Sequence, residues 1–145
     1  MKLSMRTDYG TRAILDLAAR YGEGPVQSAD IAARQAIPEA YLEQLLTSLR
    51  KAGLVRSTRG PHGGHELARI PGDVTLCDVV IALEGPLTLE NQSHDLGTRD
   101  VASACVIRDV WSQVAGAASQ ALKAFTVDEL MQRLRDRERR VMYYI

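Results

Sequence analysis

The sequence contains few cysteines, few aromatic residues and no excess of charge. Its two cysteines, Cys77 and Cys105, are too few for a disulfide framework or for a zinc site made of thiolates. Aromatic residues form 5% of the 145 residues, so aliphatic side chains must fill most of the core. The 18 basic side chains are balanced by 18 acidic ones, which excludes the overall basic excess of many nucleic-acid-binding proteins. Evidence for such a function must therefore come from local patterns.

Long apolar segments are also absent. No apolar run approaches the roughly 20 residues that a membrane-spanning helix needs, and the first residues lack the apolar centre of a secretion signal. We therefore expect a cytoplasmic protein without membrane contact. A hydrophobic fraction of 46% with 25% charged residues is typical of a folded domain rather than of a disordered chain.

The charged residues are unevenly distributed. Between residues 50 and 69 the single acidic residue is Glu66, and the basic residues are Arg50, Lys51, Arg56, Arg59 and Arg69. From residue 84 to residue 100 acidic residues dominate instead: Glu84, Glu90, Asp95 and Asp100 stand against Arg99. This distribution predicts that one surface faces phosphate groups while another avoids them.

Residues 38–53 have the pattern of an amphipathic helix. Pro38 suits the beginning of a helix, and Gly53 suits its end. Four leucines follow the i, i+3, i+4, i+7 spacing and are expected to point inward: Leu42, Leu45, Leu46 and Leu49. A shorter helix is predicted over 29–35, with Ser28 as its N-cap. Two short helices around a tight turn, the second with a polar outer face, predict a helix-turn-helix motif.

A β-hairpin is predicted directly after this second helix. Residues 54–58 alternate like a strand, residues 59–64 have turn chemistry, and residues 65–68 resemble the returning strand. A hairpin in this position is the wing of a winged helix-turn-helix domain.

Helices are predicted on both sides of this motif. The first covers residues 7–21. After the hairpin, Thr75 and Asp78 predict a capping box for a helix that ends at Glu84. A long helix is expected from about residue 102, and a final helix begins after a Thr126 cap.

The sequence thus predicts a mainly α fold with a small β-hairpin. Four regions are expected: a winged helix-turn-helix DNA-binding domain at 1–86, an acidic loop at 87–101, a dimerisation helix with the following helix at 102–135, and a C-terminal tail at 136–145.

The outer face of the second helix carries side chains suited to DNA. Gln44 is expected to pair with adenine through two hydrogen bonds, and Glu43 to accept one from a cytosine amine. Contacts to phosphate or sugar are predicted for Tyr41, Thr47, Ser48, Arg50 and Lys51. A solvated helix face is the alternative interpretation, but the basic, glycine-rich hairpin that follows favours DNA contact.

The predicted hairpin tip is also suited to DNA. Arg59 suits a narrow minor groove, whose negative potential attracts guanidinium groups. Glycines, which lack a Cβ, are expected to let the backbone approach phosphates closely: Gly60, Gly63 and Gly64.

The long helix is apolar over more of its circumference than one small domain can cover. We therefore predict a homodimer, whose two-fold symmetry would match palindromic DNA half-sites. The predicted interface residues are Ile107, Val110, Trp111, Val114, Ala118 and Ala121. An ordinary core helix in a monomer is the alternative.

Three blocks of the sequence resemble the Rrf-two family of bacterial winged-helix transcription regulators. They are MKLS…DYG at the start, YLEQLLTSLRKAGLVRSTRGPHGG in the middle, and ALEGP. The resemblance covers nearly the whole chain and implies a homodimer that binds double-stranded DNA at palindromic promoter sites, as a repressor and not as an enzyme. It implies DNA-reading roles for Tyr41, Glu43, Gln44, Arg59 and Gly60.

The sequence departs from the cluster-binding members of this family. Those members carry three cysteines in the loop before the long helix, and Cys105 matches the third. Residues 91–100, NQSHDLGTRD, contain no cysteine, and a histidine ligand of some members would fall on Arg108. Because iron–sulfur clusters are normally held by four ligands, mainly thiolates, we predict no cofactor and no metal. Cys105 is either a sensor of oxidants or sulfur species or a small buried apolar residue.

The C-terminal segment RRVMYYI resembles that of the CymR-like cysteine-metabolism repressors within the family. That subgroup's ending resembles the end of serine acetyltransferase, which docks into cysteine synthase. The resemblance implies that Tyr143, Tyr144 and Ile145 dock into this enzyme and that the regulator controls cysteine or sulfur metabolism. Packing of the tail on the protein's own dimer is the alternative.

Three rival functions remain open at this stage. One is a regulator switched by the Cys105 thiol, and another is an iron–sulfur sensor with an incomplete ligand set. The third is a protein-interaction adaptor without DNA binding. An enzyme is not expected, because the three histidines, His62, His65 and His94, form no obvious catalytic arrangement with a nucleophile or a carboxylate, and His62 and His65 lie in the predicted hairpin.

Overall fold

The computed structural model describes residues 4–87 and 102–144. In this part of the chain the elements follow the order α1 (Met5–Ala19), α2 (Ser28–Gln35), α3 (Glu39–Lys51), β1 (Val55–Thr58), β2 (Gly64–Leu67), α4 (Leu76–Glu84), α5 (Ala102–Lys123) and α6 (Val127–Tyr143), with a short 3-10 turn before α4. The strands form one antiparallel hairpin. The predicted mainly helical fold with a small β-hairpin is confirmed.

The capping residues explain where several helices begin. The side chain of Thr75 accepts from the Asp78 N–H at 3.1 Å while the Asp78 carboxylate accepts from the Thr75 N–H at 2.9 Å, which confirms the capping box of α4. Thr126 caps α6 in the same way, by accepting from the Glu129 N–H at 3.1 Å. Sequence analysis missed the cap of α1, whose Ser4 side chain accepts from a backbone N–H, and α1 therefore begins two residues before the predicted 7–21.

Other boundaries differ slightly from the predicted ones. Ser28 is the first residue of α2 rather than its cap, and Pro38 is the cap residue of α3. The last helix continues to Tyr143, so the segment expected as a tail from residue 136 is mostly helical. Of the predicted acidic loop at 87–101, only Leu87 lies within the described residues.

One hydrophobic core connects α1, α2, α3, α4, the base of the hairpin and the beginning of α6. The leucines of α3 are at most 1% exposed, as their spacing predicted: Leu42, Leu45, Leu46 and Leu49. Ile14 and Ile31 bring α1 and α2 into the same core, and Val127 and Met131 bring α6. α5 contributes no buried residue and lies against α4, where the Cys77 Sγ and Ser119 Oγ atoms are 3.8 Å apart.

The turn between α2 and α3 is tight. Ala36 adopts a left-handed conformation with φ 52° and ψ 48°, and the N–H groups of Ala36 and Ile37 both donate to the carbonyl of Ala32. The side chain of Ile37 is buried and anchors the turn to the core. A Cβ in this conformation costs roughly 1–2 kcal/mol, which the packing of Ile37 and of the two helices offsets. The turn fixes the direction of α3 relative to α2.

Candidate DNA interface

The outer face of α3 is polar and accessible. The side chains of Glu43, Gln44, Arg50 and Lys51 are exposed, whereas the leucines on the opposite side of the helix are buried. Because α3 is amphipathic and held by its buried side, the polar side is presented as a rigid surface. This arrangement meets the geometric requirement for a recognition helix.

Tyr41 is half-buried at one edge of this surface. Its ring packs edge-to-face against that of Tyr9 in α1, with centroids 5.9 Å apart and an angle of 74°. The guanidinium carbon of Arg12 lies 4.7 Å from the Tyr9 centroid. Tyr41 therefore belongs partly to the contact between α1 and α3, and its ring is held in one orientation.

The hydroxyls of Thr47 and Ser48 bond within the protein. Thr47 donates to the carbonyl of Glu43 at 2.8 Å, and Ser48 donates to the carbonyl of Gln44 at 3.3 Å. A hydroxyl has one proton, and a DNA phosphate only accepts hydrogen bonds. The phosphate contacts predicted for these two side chains therefore require that DNA displace these internal bonds.

The hairpin follows α3 and presents a basic tip. Val55 pairs with Leu67 at the buried base, and Thr58 pairs with Gly64 near the turn. Arg59 and Gly60 lie at the tip and are exposed, as the prediction of DNA contact requires. Gly60 has a φ of +109°, and a Cβ added there would meet no atom within 4 Å.

The two other glycines of the hairpin have a structural role. A Cβ on Gly63 would lie 2.1 Å from the Thr58 carbonyl oxygen, and one on Gly64 would lie 2.5 Å from the Val26 carbonyl oxygen. Gly64 also has a φ of +152°, which side chains rarely adopt. Gly63 is buried, so the prediction that it lets a phosphate approach the backbone is wrong for that residue. These glycines let strands pack closely.

The connection between α1 and α2 adds a third strand-like segment to the wing, and sequence analysis missed it. The Val26 N–H donates to the His65 carbonyl at 2.9 Å, and the His65 N–H donates to the Val26 carbonyl at 2.8 Å. The Gln27 side-chain amide also donates to the carbonyl of Gly63 at 2.8 Å. Pro25 with the apolar Val26 is the sequence signal for this extended segment. These bonds hold the wing against the helix-turn-helix motif.

His65 links the wing electrostatically to α3. Burial lowers the pKa of His65 below its ordinary value of 6.5; the negative charge of Glu43 opposes this shift, and the positive charge of Arg50 adds to it. The Ser57 hydroxyl lies 2.8 Å from the His65 Nδ1 atom. The charges of two exposed residues of α3 thus reach one imidazole of the hairpin, and α3 also packs against β1, the first strand of the wing.

An apolar stripe runs along α5 and is uncovered in the single chain. Its large residues are between 45% and 60% exposed: Val106, Ile107, Val110, Trp111 and Val114. Of the two alanines predicted at the same interface, Ala118 is half-buried and Ala121 is exposed. Ile107, Val114 and Ala121 are seven residues apart, a spacing typical of helices that pack side by side.

The remaining predicted site residues lie away from α3. Cys105 is half-buried near the beginning of α5, whereas Cys77 is 2% exposed and belongs to the core. Tyr143 and Tyr144 are 91% and 92% exposed at the end of α6, and Ile145 lies outside the described residues. Within residues 4–87 and 102–144, no helix combines the length and apolarity needed to cross a membrane.

The fold and the surface formed by α3 and the wing define a winged helix-turn-helix transcription regulator that binds DNA, and not an enzyme. A family model for Rrf2, described as an iron-dependent transcriptional regulator, matches residues 3–133. The chain belongs to the Rrf2 (Rrf-two) family, as its sequence blocks predicted.

The relatives agree with this assignment. Protein rrf2 of Nitratidesulfovibrio vulgaris is 42% identical over 90% of this chain and 87% of its own length. The HTH-type transcriptional regulator CymR of Bacillus subtilis is 34% identical over the full length of both chains. The solved structure of this CymR, the global cysteine regulator of B. subtilis, has a TM-score of 0.72 with 33% identity, and the match covers 92% of this chain and 98% of that chain. The solved structure of T. potens IscR has a TM-score of 0.74 with 38% identity and covers 92% and 88% of the two chains.

The residues of this chain do not fit the iron–sulfur cluster that the family's iron-dependent members suggest. Of the expected thiolates only Cys105 is present, and the nearby position of a further ligand is the exposed cation Arg108. In the described part of the chain, no three histidine, cysteine, aspartate or glutamate side chains come together to hold a metal. The nearest other candidate ligands in the sequence, His94 and Asp95, lie outside that part.

Proposed function

We propose that the protein is a cytoplasmic homodimeric repressor that binds a partly palindromic promoter site. The main observation behind this proposal is the exposed polar face of α3, which includes Glu43 and Gln44. This face adjoins a wing that has Arg59 at its tip. In each half-site α3 enters the major groove, where Gln44 reads a base edge. Arg59 enters the adjacent minor groove, and Arg50 and Lys51 neutralise phosphates.

The uncovered stripe of α5 supports the homodimer. Five large apolar side chains that are about half exposed in one chain would be desolvated by the same helix of a second copy. Such pairing is isologous, because the same stripe is used by both subunits. It orients two recognition helices for half-sites that are one helical turn, or a multiple of it, apart.

Selection of bound fragments from random duplex DNA tests the DNA-binding role. We expect enrichment of a sequence with two inverted halves whose centres are about 10 base pairs, or a multiple, apart. The affinity should fall steeply with salt, because phosphate contacts release counterions. Failure to enrich any sequence, with weak binding at every salt concentration, would favour the adaptor without DNA binding.

For the signal we propose complex formation with cysteine synthase and control of cysteine or sulfur metabolism. Two observations support this proposal. CymR of Bacillus subtilis is similar over its full length, and Tyr143 and Tyr144 are almost completely exposed at the end of α6. Tyrosines combine an apolar ring with a polar tip, which suits them to a protein interface.

A regulator switched by the Cys105 thiol is the second candidate. Its side chain is half-buried rather than sealed in the core, so an oxidant or a sulfur species can reach it. Substitution of Cys105 by serine separates the two candidates. In the thiol mechanism the variant loses the response of DNA binding to peroxide or polysulfide, whereas in the partner mechanism it keeps the response to cysteine synthase.

A further inference from the structure

Arg6 connects three helices through one side chain. Its Nε atom donates to the carbonyl of Leu83 in α4 at 2.7 Å, and its Nη2 atom donates to the Ser48 hydroxyl in α3 at 2.6 Å. Both donors belong to one planar guanidinium group, so the two bonds have a fixed relative geometry. A lysine, with one ammonium at the end of a flexible stem, does not reproduce this bridge.

The beginning of α1 and the end of α4 behave as one unit around Arg6. The hydroxyls of Ser4 and Thr7 both donate to the same carboxylate oxygen of Glu84, the Thr7 bond being 2.7 Å long. The pKa of Glu84 lies below its ordinary value because of these two bonds, with a contribution from the charge of Arg6. A Cβ on Gly10 would lie 2.2 Å from Leu83 Cδ1, so the two helices touch at this glycine.

At its other end, the Arg6 bridge between α4 and α3 reaches the face of α3 that we propose reads DNA bases. The Ser48 hydroxyl accepts from Arg6 and donates to the carbonyl of Gln44. A continuous series of hydrogen bonds therefore runs from the Leu83 carbonyl through Arg6 and Ser48 to the backbone carbonyl of Gln44 in α3. The leucines hold the inner side of α3, and this series holds its outer edge relative to α4.

We propose that Arg6 is a positioning residue that couples the C-terminal end of α4 to the orientation of the DNA-reading face of α3. The proposal rests on the proposed function, in which α3 reads DNA. A displacement of the end of α4 moves the Leu83 carbonyl, Arg6 follows it, and Ser48 shifts the polar edge of α3. Selectivity for DNA thus becomes sensitive to the segment that leaves α4.

The test measures affinity for the selected operator and for random DNA at several salt concentrations, for Arg6→Lys, Arg6→Ala, Ser48→Ala and the double variant of Arg6→Lys with Ser48→Ala. Arg6→Lys keeps the charge and loses the bridge, and thermal unfolding confirms that each variant is folded. We expect each single variant to lower the operator-to-random affinity ratio by up to about tenfold, the limit reached when the free energy of one charge-assisted hydrogen bond is lost from the operator complex alone. The double variant should lose no more than either single one, because both break the same link. Arg133→Ala, an exposed arginine on α6, should leave the ratio unchanged.

Three outcomes would overturn the coupling. An unchanged ratio in Arg6→Lys and Ser48→Ala contradicts it, and so do losses that add in the double variant. In the third outcome, Arg6→Ala lowers the slope of log affinity against log salt concentration by about one, while Ser48→Ala keeps the operator-to-random affinity ratio. Arg6 would then be a direct phosphate contact. A wild-type protein that does not distinguish operator from random DNA would refute the proposed function, and the coupling with it.

Discussion

Asp16 in α1 keeps its charge although its side chain is buried. Its carboxylate accepts from the Nε and Nη2 atoms of Arg34 at 3.0 and 2.8 Å and from the side chain of Gln35 at 3.2 Å, and Arg20 lies 3.4 Å away. Burial raises the pKa of Asp16, but the bonds from Arg34 and Gln35 and the charges of Arg20 and Arg34 lower it below 3.8 overall. A single side chain thus fixes α2 against α1.

We expect Asp16→Ala to lower the free energy of unfolding by about 2 kcal/mol at pH 7, because the Arg34 donors lose a charged acceptor. Because Arg34 is 35% exposed, water can solvate its guanidinium group in the variant. The loss of stability is therefore smaller than for a fully buried ion pair. The carboxylate binds protons less readily in the folded than in the unfolded state. Its contribution is therefore complete above pH 3.8 and is lost as the pH falls through the lowered pKa of the folded state.

Urea unfolding of the wild type and of Asp16→Ala between pH 3 and 7 checks this prediction. Asp8→Ala is the matched control, since Asp8 pairs with Arg12 on the same helix but is 65% exposed. The control should change stability little. Equal stability of Asp16→Ala and wild type at pH 7 would contradict the assigned role.

Gln44 is the residue on which sequence discrimination should depend most. Gln44→Ala is expected to cost about 1–3 kcal/mol of discrimination between operator and random DNA, because a bidentate contact to a base edge is lost. Competition binding at fixed salt measures this ratio. Gln113→Ala, which truncates an exposed glutamine on α5, should leave it unchanged. A ratio that stays at the wild-type value in Gln44→Ala would show that α3 does not read bases through this side chain.

Among the α-helices and strands of the described residues, α5 differs from the others because it contributes no buried residue to the core of its own chain. The first four helices and the hairpin each have one buried side, and α6 is buried at its beginning. In the proposed homodimer, the α5 of a second copy would cover the apolar stripe of this 22-residue helix. For α5 we therefore expect an interface between two copies of the chain.

Val110→Glu should convert the dimer to a monomer, because a carboxylate in the stripe would lose its hydration in the interface. Light scattering gives the mass, and binding to a two-half-site operator should weaken in parallel. Ser112→Glu adds the same charge on the opposite side of α5 and should remain dimeric. A monomeric wild type, or a Val110→Glu protein that stays dimeric, would refute the pairing along this stripe.

At the scale of the whole molecule, the surface that we propose binds DNA and the exposed C-terminal end are formed by different helices. Deletion of Tyr144 and Ile145 should therefore abolish binding to cysteine synthase and leave DNA binding intact. Calorimetry with purified cysteine synthase measures the first effect, and operator binding measures the second. Arg139→Ala, which removes an exposed charge of α6 about one turn before Tyr143, should keep both activities. If the intact protein fails to bind the enzyme, the partner proposal is wrong.

The sequence by itself determined the order of the elements, the caps of α4 and α6 and the inward side of α3. These features depend on spacings of three or four residues, such as those of the four leucines and of Thr75 with Asp78, so local physics decides them. The family was recognisable for a related reason. Its diagnostic blocks coincide with the contacts that build the fold, as when Gly10 of DYG meets Leu83 of ALEGP.

Only the tertiary structure decided what joins residues far apart in the chain. No local pattern places Arg6 between Ser48 and Leu83, pairs Val26 with His65, or gives Gly63 a packing role instead of a role in phosphate contact. These contacts depend on how helices and strands meet after the core forms. Side-chain type and spacing report only on neighbours along the chain, whereas close approach across the core depends on distances in space.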